Sequence, residues 1–202
     1  MSVISHGFVN LPGYNGVPLQ ADLPGECLNW QSYGKALAVL LKNSAVAPVG
    51  LVGNSMGAMI AIHAALFDHF LVDHLVLYKV PTFGCVRSNI RKKFLHVSKS
   101  IKGRKEFYEF IDDIQGKVSS DVLENLKMVG WENARKMYLG AAVSDLSSNE
   151  LENLTMPVYF LRSSESEDAV HPPIACEHLF ELISNSQDKR MIKLDDVQEI
   201  NL

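Results

Sequence analysis

Cysteine is scarce in this chain. Its 202 residues hold three, Cys27, Cys85 and Cys176, odd in number and far apart. Such usage excludes a disulfide scaffold and favours a reducing compartment, with the cytoplasm as the default location. None has a cysteine or histidine nearby at metal-ligand spacing, so no metal and no other cofactor is expected. Apolar runs stay short of the roughly 18 residues a membrane span needs, so no membrane partner is expected. Nor does the N-terminus show a basic region leading into a long apolar stretch, so no secretory leader is expected. Positive charge is not in excess: 19 Lys and Arg stand against 23 Asp and Glu, a net charge of −4. That balance argues against a nucleic-acid partner. What remains is an ordinary globular composition, 47% hydrophobic and 21% charged, in a chain long enough for one domain with a sizeable core. The oligomeric state is left open.

The most informative stretch is 47–65, Ala-Pro-Val-Gly-Leu-Val-Gly-Asn-Ser-Met-Gly-Ala-Met-Ile-Ala-Ile-His-Ala-Ala. Residues 49–52 form a short apolar run that reads as a buried strand, and 58–67 a Gly/Ala-rich helix behind it. Between them, Gly53-Asn54-Ser55-Met56-Gly57 matches the G-x-S-x-G strand-to-helix turn, the nucleophile elbow. A serine there sits on a bend sharp enough to project its hydroxyl, with a strained backbone. Small residues two before and two after it are expected to let strand and helix approach closely. The helix N-terminus beside Ser55 favours developing negative charge. By chance the bare pattern would occur in roughly 7% of chains this long, so its weight comes from the strand before it and the helix after it.

The rest of the chain alternates in kind. Residues 2–8 read as a strand ending in His6-Gly7, and a turn-rich stretch then leads to Asp22-Leu23-Pro24-Gly25. Residues 32–42 carry Tyr33, Leu37, Leu40 and Leu41 on one helical face. Residues 72–80 read as a second buried strand, 154–161 as a third, 174–183 as a helix and 190–194 as a last strand. This alternation predicts an α/β fold with a mostly parallel sheet flanked by helices. Residues 85–152 show helical stripes without a strand pattern, notably Phe107, Phe110, Ile111 and Ile114, then Trp131, Ala134, Met137 and Tyr138.

Three landmarks in order, a strand into His6-Gly7, then Asp22-Leu23-Pro24-Gly25, then the elbow, make the chain resemble the α/β-hydrolase superfamily. The resemblance implies a core formed by 1–84 and 153–202, with 85–152 as an inserted helical cap. It implies Ser55 as nucleophile and the Met56 and Phe8 N–H groups as oxyanion donors. The acid of the triad falls on Asp168, in the setting Asp168-Ala-Val-His-Pro, with Glu165 and Glu167 as fallbacks. The implied activity is hydrolysis of a carboxylic ester or thioester of a small acyl substrate through an acyl-Ser55 intermediate.

One part departs from the pattern. A serine hydroxyl needs a general base at neutral pH, and the resemblance puts a histidine in the loop after the last strand. Here that loop reads Leu194-Asp-Asp-Val-Gln-Glu-Ile-Asn-Leu202, and no histidine follows His178. His171, on the acid loop, is the first substitute and His6 the second. His63 reads as structural, and His69, His74, His96 and His178 as surface. The competing expectations are an impaired hydrolase-like protein that binds an acyl ligand or a partner chain, and a chain whose base lay on a missing tail. A basic run from Arg87 and Arg91 to Lys105 reads as a solvated face, or as a rim that attracts an anionic substrate.

Overall fold

The computed structural model describes residues 7–12, 14, 17, 19, 22–44, 46–115, 117–118, 120–162 and 170–193. The expected strand at 2–8 therefore falls largely outside the described residues, and Gly7 and Phe8 carry no regular structure. The first helix, α1, spans Trp30–Ser44 and leads to strand β1, Val49–Asn54. Next come helix α2, Met56–Phe67, and strand β2, Val72–Tyr78. Four helices follow: α3 (Ser88–Ser100), α4 (Arg104–Ile114), α5 (Ser120–Val143) and α6 (Ser148–Leu151). Strand β3 (Val158–Arg162), helix α7 (Pro173–Leu182) and strand β4 (Lys189–Lys193) follow among the described residues.

The four strands are parallel and lie in sequence order, β1-β2-β3-β4. Leu51 pairs with Leu75, Leu77 with Phe160, and Phe160 with Met191. A sheet that always steps the same way, with crossovers of one hand, carries its connecting helices on one face. The packing agrees. Trp30, Ala38 and Leu41 of α1, Met59 and Ile62 of α2, and Cys176 and Leu179 of α7 share one core with Leu75, Leu77, Val158 and Phe160. On the strand next to it, Val52 points the other way and is 76% exposed.

α2 is apolar all round, and eight of its twelve residues are buried, as expected of a helix enclosed by its surroundings. Gly34 of α1 permits the close contact with it, since a Cβ there would lie 2.4 Å from the His63 Cβ. The helices between β2 and β3 hold a second core, Ile101, Phe107, Ile111, Leu126 and Ala134, with Trp131 and Tyr138 against it. α5 breaks at Gly130, whose φ of 75° suits glycine. That break lies just before the Trp131–Tyr138 stripe. Among the described residues no strand interrupts 85–152, and no helix is long and apolar enough to cross a membrane.

Candidate active site

Ser55 stands between β1 and α2, with φ 55° and ψ −119°. A non-glycine residue at positive φ is strained and persists only where its surroundings hold it. Here the Ser55 N–H donates to the Tyr78 carbonyl across the sheet at 2.9 Å, and its carbonyl accepts from the Ala58 N–H at 3.0 Å. Gly53 is sterically required, because a Cβ there would lie 2.5 Å from both the Ala58 Cα and the Gly57 oxygen. Gly57 is different. A Cβ on it would meet nothing within 4 Å. The expectation that both flanking glycines serve the strand–helix approach thus holds for the first and fails for the second, since Gly57 already lies in the first turn of α2, away from β1.

His171 Nε2 lies 2.7 Å from Ser55 Oγ. Two local features place this imidazole. The Val170 carbonyl accepts from the Thr82 N–H at 2.8 Å, tying the loop to the end of β2. Pro172, at φ −65° and ψ 145°, then turns the chain into α7, whose first residue is Pro173. Proline at the start of a helix removes an N–H that would have no partner there. Met56 opens α2, so its N–H lies among those that have no intrahelical partner and can face an anion. The Phe8 side chain is 93% exposed. Asp168, Glu165 and Glu167 lie outside the described residues, as does His6. Among the described residues, no group of three or more His, Cys, Asp or Glu side chains is arranged to hold a metal ion.

Around the elbow, buried groups hold fixed protonation states. The Tyr14 hydroxyl reaches the Met56 Sδ at 3.5 Å, and burial pushes its phenol well above the ordinary range. Tyr33, which donates to the Pro12 carbonyl at 2.8 Å, is pushed up to about 12 by burial. His63 is 6% exposed and stands 3.0 Å from the Asp145 carbonyl. Burial lowers its pKa, which keeps the ring neutral and fits a structural role.

Arg87 and Arg91 are not a rim. Arg87 is 1% exposed, its guanidinium lies 4.1 Å from the Trp30 ring, and it donates to the carbonyls of Thr82 and Ala141 at 2.9 Å each. Burial brings its pKa down to about 10. Arg91 pairs with Asp145, whose other oxygen accepts from the Gly84 N–H at 2.8 Å. These contacts pin the segment leaving β2 to the segment returning from α5, and so fix Thr82, which steadies the His171 loop. No spacing in the sequence announces this clamp, because one of the backbone carbonyls that Arg87 reaches, at Ala141, lies 54 residues away.

Neither a family profile nor a curated protein matches the sequence. Solved structures do match by shape. MenH from Staphylococcus aureus aligns at TM-score 0.65 and 16% identity over 92% of this chain and 73% of its own. A non-heme bromoperoxidase, BpoC, from Mycobacterium tuberculosis aligns at 0.59 and 21% over 82% and 65%. An α/β hydrolase from a deep-sea metagenome, MGS-M2, aligns at 0.58 and 20% over 82% and 64%. The chain spans about two thirds of the length of these structures. With a parallel sheet, a strained serine between strand and helix, and these neighbours, the chain has the α/β-hydrolase fold.

Proposed function

We propose that this protein is a serine hydrolase of carboxylic esters or thioesters that works through an acyl-Ser55 intermediate. The observation that carries the reading is the 2.7 Å separation of Ser55 Oγ and His171 Nε2 at a positive-φ turn. Nucleophile and base within hydrogen-bond reach is the geometry such catalysis needs. In acylation, Ser55 Oγ attacks the carbonyl carbon while its proton passes to His171 Nε2. The tetrahedral oxyanion is held by the Met56 and Phe8 N–H groups, and its collapse expels the alcohol or thiol, which takes the proton from His171. Water then attacks the acyl carbon, gives its proton to His171, and the acid leaves as Ser55 recovers it. Asp168 is the proposed orienting carboxylate for Nδ1, with Glu165 or Glu167 as substitutes. The helices of 85–152 act as a cap that shields this chemistry from water.

In this reading the base is His171, which reaches the serine from the loop between β3 and α7. A fluorophosphonate probe tests it. Wild-type protein is expected to label at Ser55, Ser55→Ala not at all, and His171→Ala about 10²- to 10⁴-fold more slowly. Labelling that is absent from the wild type, or that survives intact in His171→Ala, refutes the mechanism. The first result would favour a protein that binds an acyl ligand without turning it over.

A further inference from the structure

Among the described residues, two that are not glycine hold a positive φ, Ser55 at 55° and Lys79 at 47°. They are neighbours. Asn54 pairs with Tyr78 across β1 and β2, and Tyr78 pairs with Leu161 across β2 and β3. Ser55, Lys79 and Arg162 are the residues that follow, so they stand side by side at the carboxyl edge of the sheet with Lys79 in the middle. Backbone strain of this kind persists only where the surroundings hold it, and it clusters at functional sites. A recess of about 20 Å³ opens at this edge, and Lys79, Arg162, His171 and Cys176 are among the residues that line it. His171 joins it to the nucleophile, since the same imidazole has its Nε2 2.7 Å from Ser55 Oγ. No aspartate or glutamate is among the described residues of the lining. Arg162 is compensated by Glu177, at 2.6 Å. Lys79 is not. It is half-buried, and its Nζ stands 5.3 Å from the centroid of the Tyr78 ring, with no carboxylate of the described residues paired to it. A partly desolvated cation without a counter-charge is costly to keep, and here the cost falls beside the proposed base.

We infer that Lys79 is a specificity-determining residue that receives a free carboxylate of the substrate in the recess beside His171. The inference rests on the hydrolase reading above and names its substrate class, an ester or thioester that carries a second, ionised carboxyl group. Size and charge both support it. A space above roughly 10–15 Å³ holds one water-sized group, so the recess takes a carboxylate oxygen and not an acyl chain. A phosphate, with three outer oxygens, needs a wider cradle. Lysine offers a compact point charge, and partial removal from water strengthens its pull on an anion. The charge comes from Lys79 and not from the start of the basic run, where Arg87 and Arg91 are spent on Thr82, Ala141 and Asp145.

The test compares kcat/KM for the nitrophenyl esters of hemisuccinate and butyrate. Wild-type protein is expected to prefer hemisuccinate by about tenfold, and the preference should shrink as sodium chloride is raised. That salt dependence reads the charge without any substitution. Lys79→Met should cut the hemisuccinate-to-butyrate ratio by about tenfold, while Lys79→Arg should keep most of it. Both variants carry the same positive-φ penalty as lysine, so charge is what differs between them. A further readout needs no turnover: saturation-transfer NMR of succinate with the Ser55→Ala protein, where adding Lys79→Met should abolish binding and adding Lys79→Arg should retain it. If wild-type protein turns over neither ester but succinate binds and Lys79→Met removes it, the hydrolase reading fails and the carboxylate site stands. If Ser55-dependent turnover is present while Lys79→Met leaves the ratio and the succinate binding unmoved, the role of Lys79 is overturned.

Discussion

Replacing each elbow glycine by alanine separates two roles that the motif runs together. At Gly53 a methyl group would sit 2.5 Å from the Ala58 Cα and 2.5 Å from the Gly57 oxygen. Both are backbone atoms, so relief requires β1 and α2 to move apart. Forced insertion of a methyl into a packed site costs about 1–3 kcal/mol, and for a chain of this size each kcal/mol lowers Tm by about 2–4 °C. Gly53→Ala is therefore expected to lose several degrees. Ser55 would also shift relative to His171, and a misplacement of about 1 Å can cost roughly 10²-fold in rate. At Gly57 the methyl meets nothing within 4 Å, and alanine in a helix is favoured over glycine by about 0.5–1 kcal/mol. Gly57→Ala is expected to hold or raise Tm by a degree or two. Thermal unfolding followed by circular dichroism, with fluorophosphonate labelling rates on the same samples, reads both effects. Equal destabilisation by the two variants would falsify the claim that only the first glycine permits the strand–helix approach.

Two further perturbations address what surrounds the site. Arg87→Met keeps the stem's packing but leaves the Thr82 and Ala141 carbonyls without their donor, at about 1–3 kcal/mol for each buried group. Urea unfolding should show a lower midpoint, with slower Ser55 labelling because Thr82 steadies the His171 loop; an unchanged midpoint refutes the clamp. For His63, burial lowers the folded pKa below the ordinary 6.5, so between those two values the unfolded chain binds the extra proton. Stability is expected to fall as pH drops below 6.5 towards the folded pKa, and to be insensitive to this group above it. His63→Gln should flatten that part of the stability–pH curve, and an identical slope in both proteins would remove His63 as its source.

Much of the fold was legible locally. Periodicity and the elbow spacing located α1, β1, α2, β2, α7 and β4 within about two residues, with α2 starting at Met56 rather than 58 and β2 ending at Tyr78 rather than 80, while β3 starts at Val158 rather than 154. Those signals are short-range, because apolar alternation and turn chemistry act over a few residues. The basic run was misread in part for the opposite reason. Arg87 looks like its exposed neighbours in sequence, and only the return of the chain at Ala141 makes it internal, while Arg91 stays part-exposed and pairs with Asp145.

By itself, the sequence determined the chemistry on offer: a serine between two glycines at a strand-to-helix bend, a helix start behind it, and His171 as the first substitute base. The tertiary structure alone decided which imidazole meets that hydroxyl. His171 and Ser55 are 116 residues apart, and their 2.7 Å separation depends on parallel strands holding the ends of β1, β2 and β3 at one edge of the sheet. A residue's type can be read from the chain, but proximity across a sheet is a property of register, which no single segment encodes.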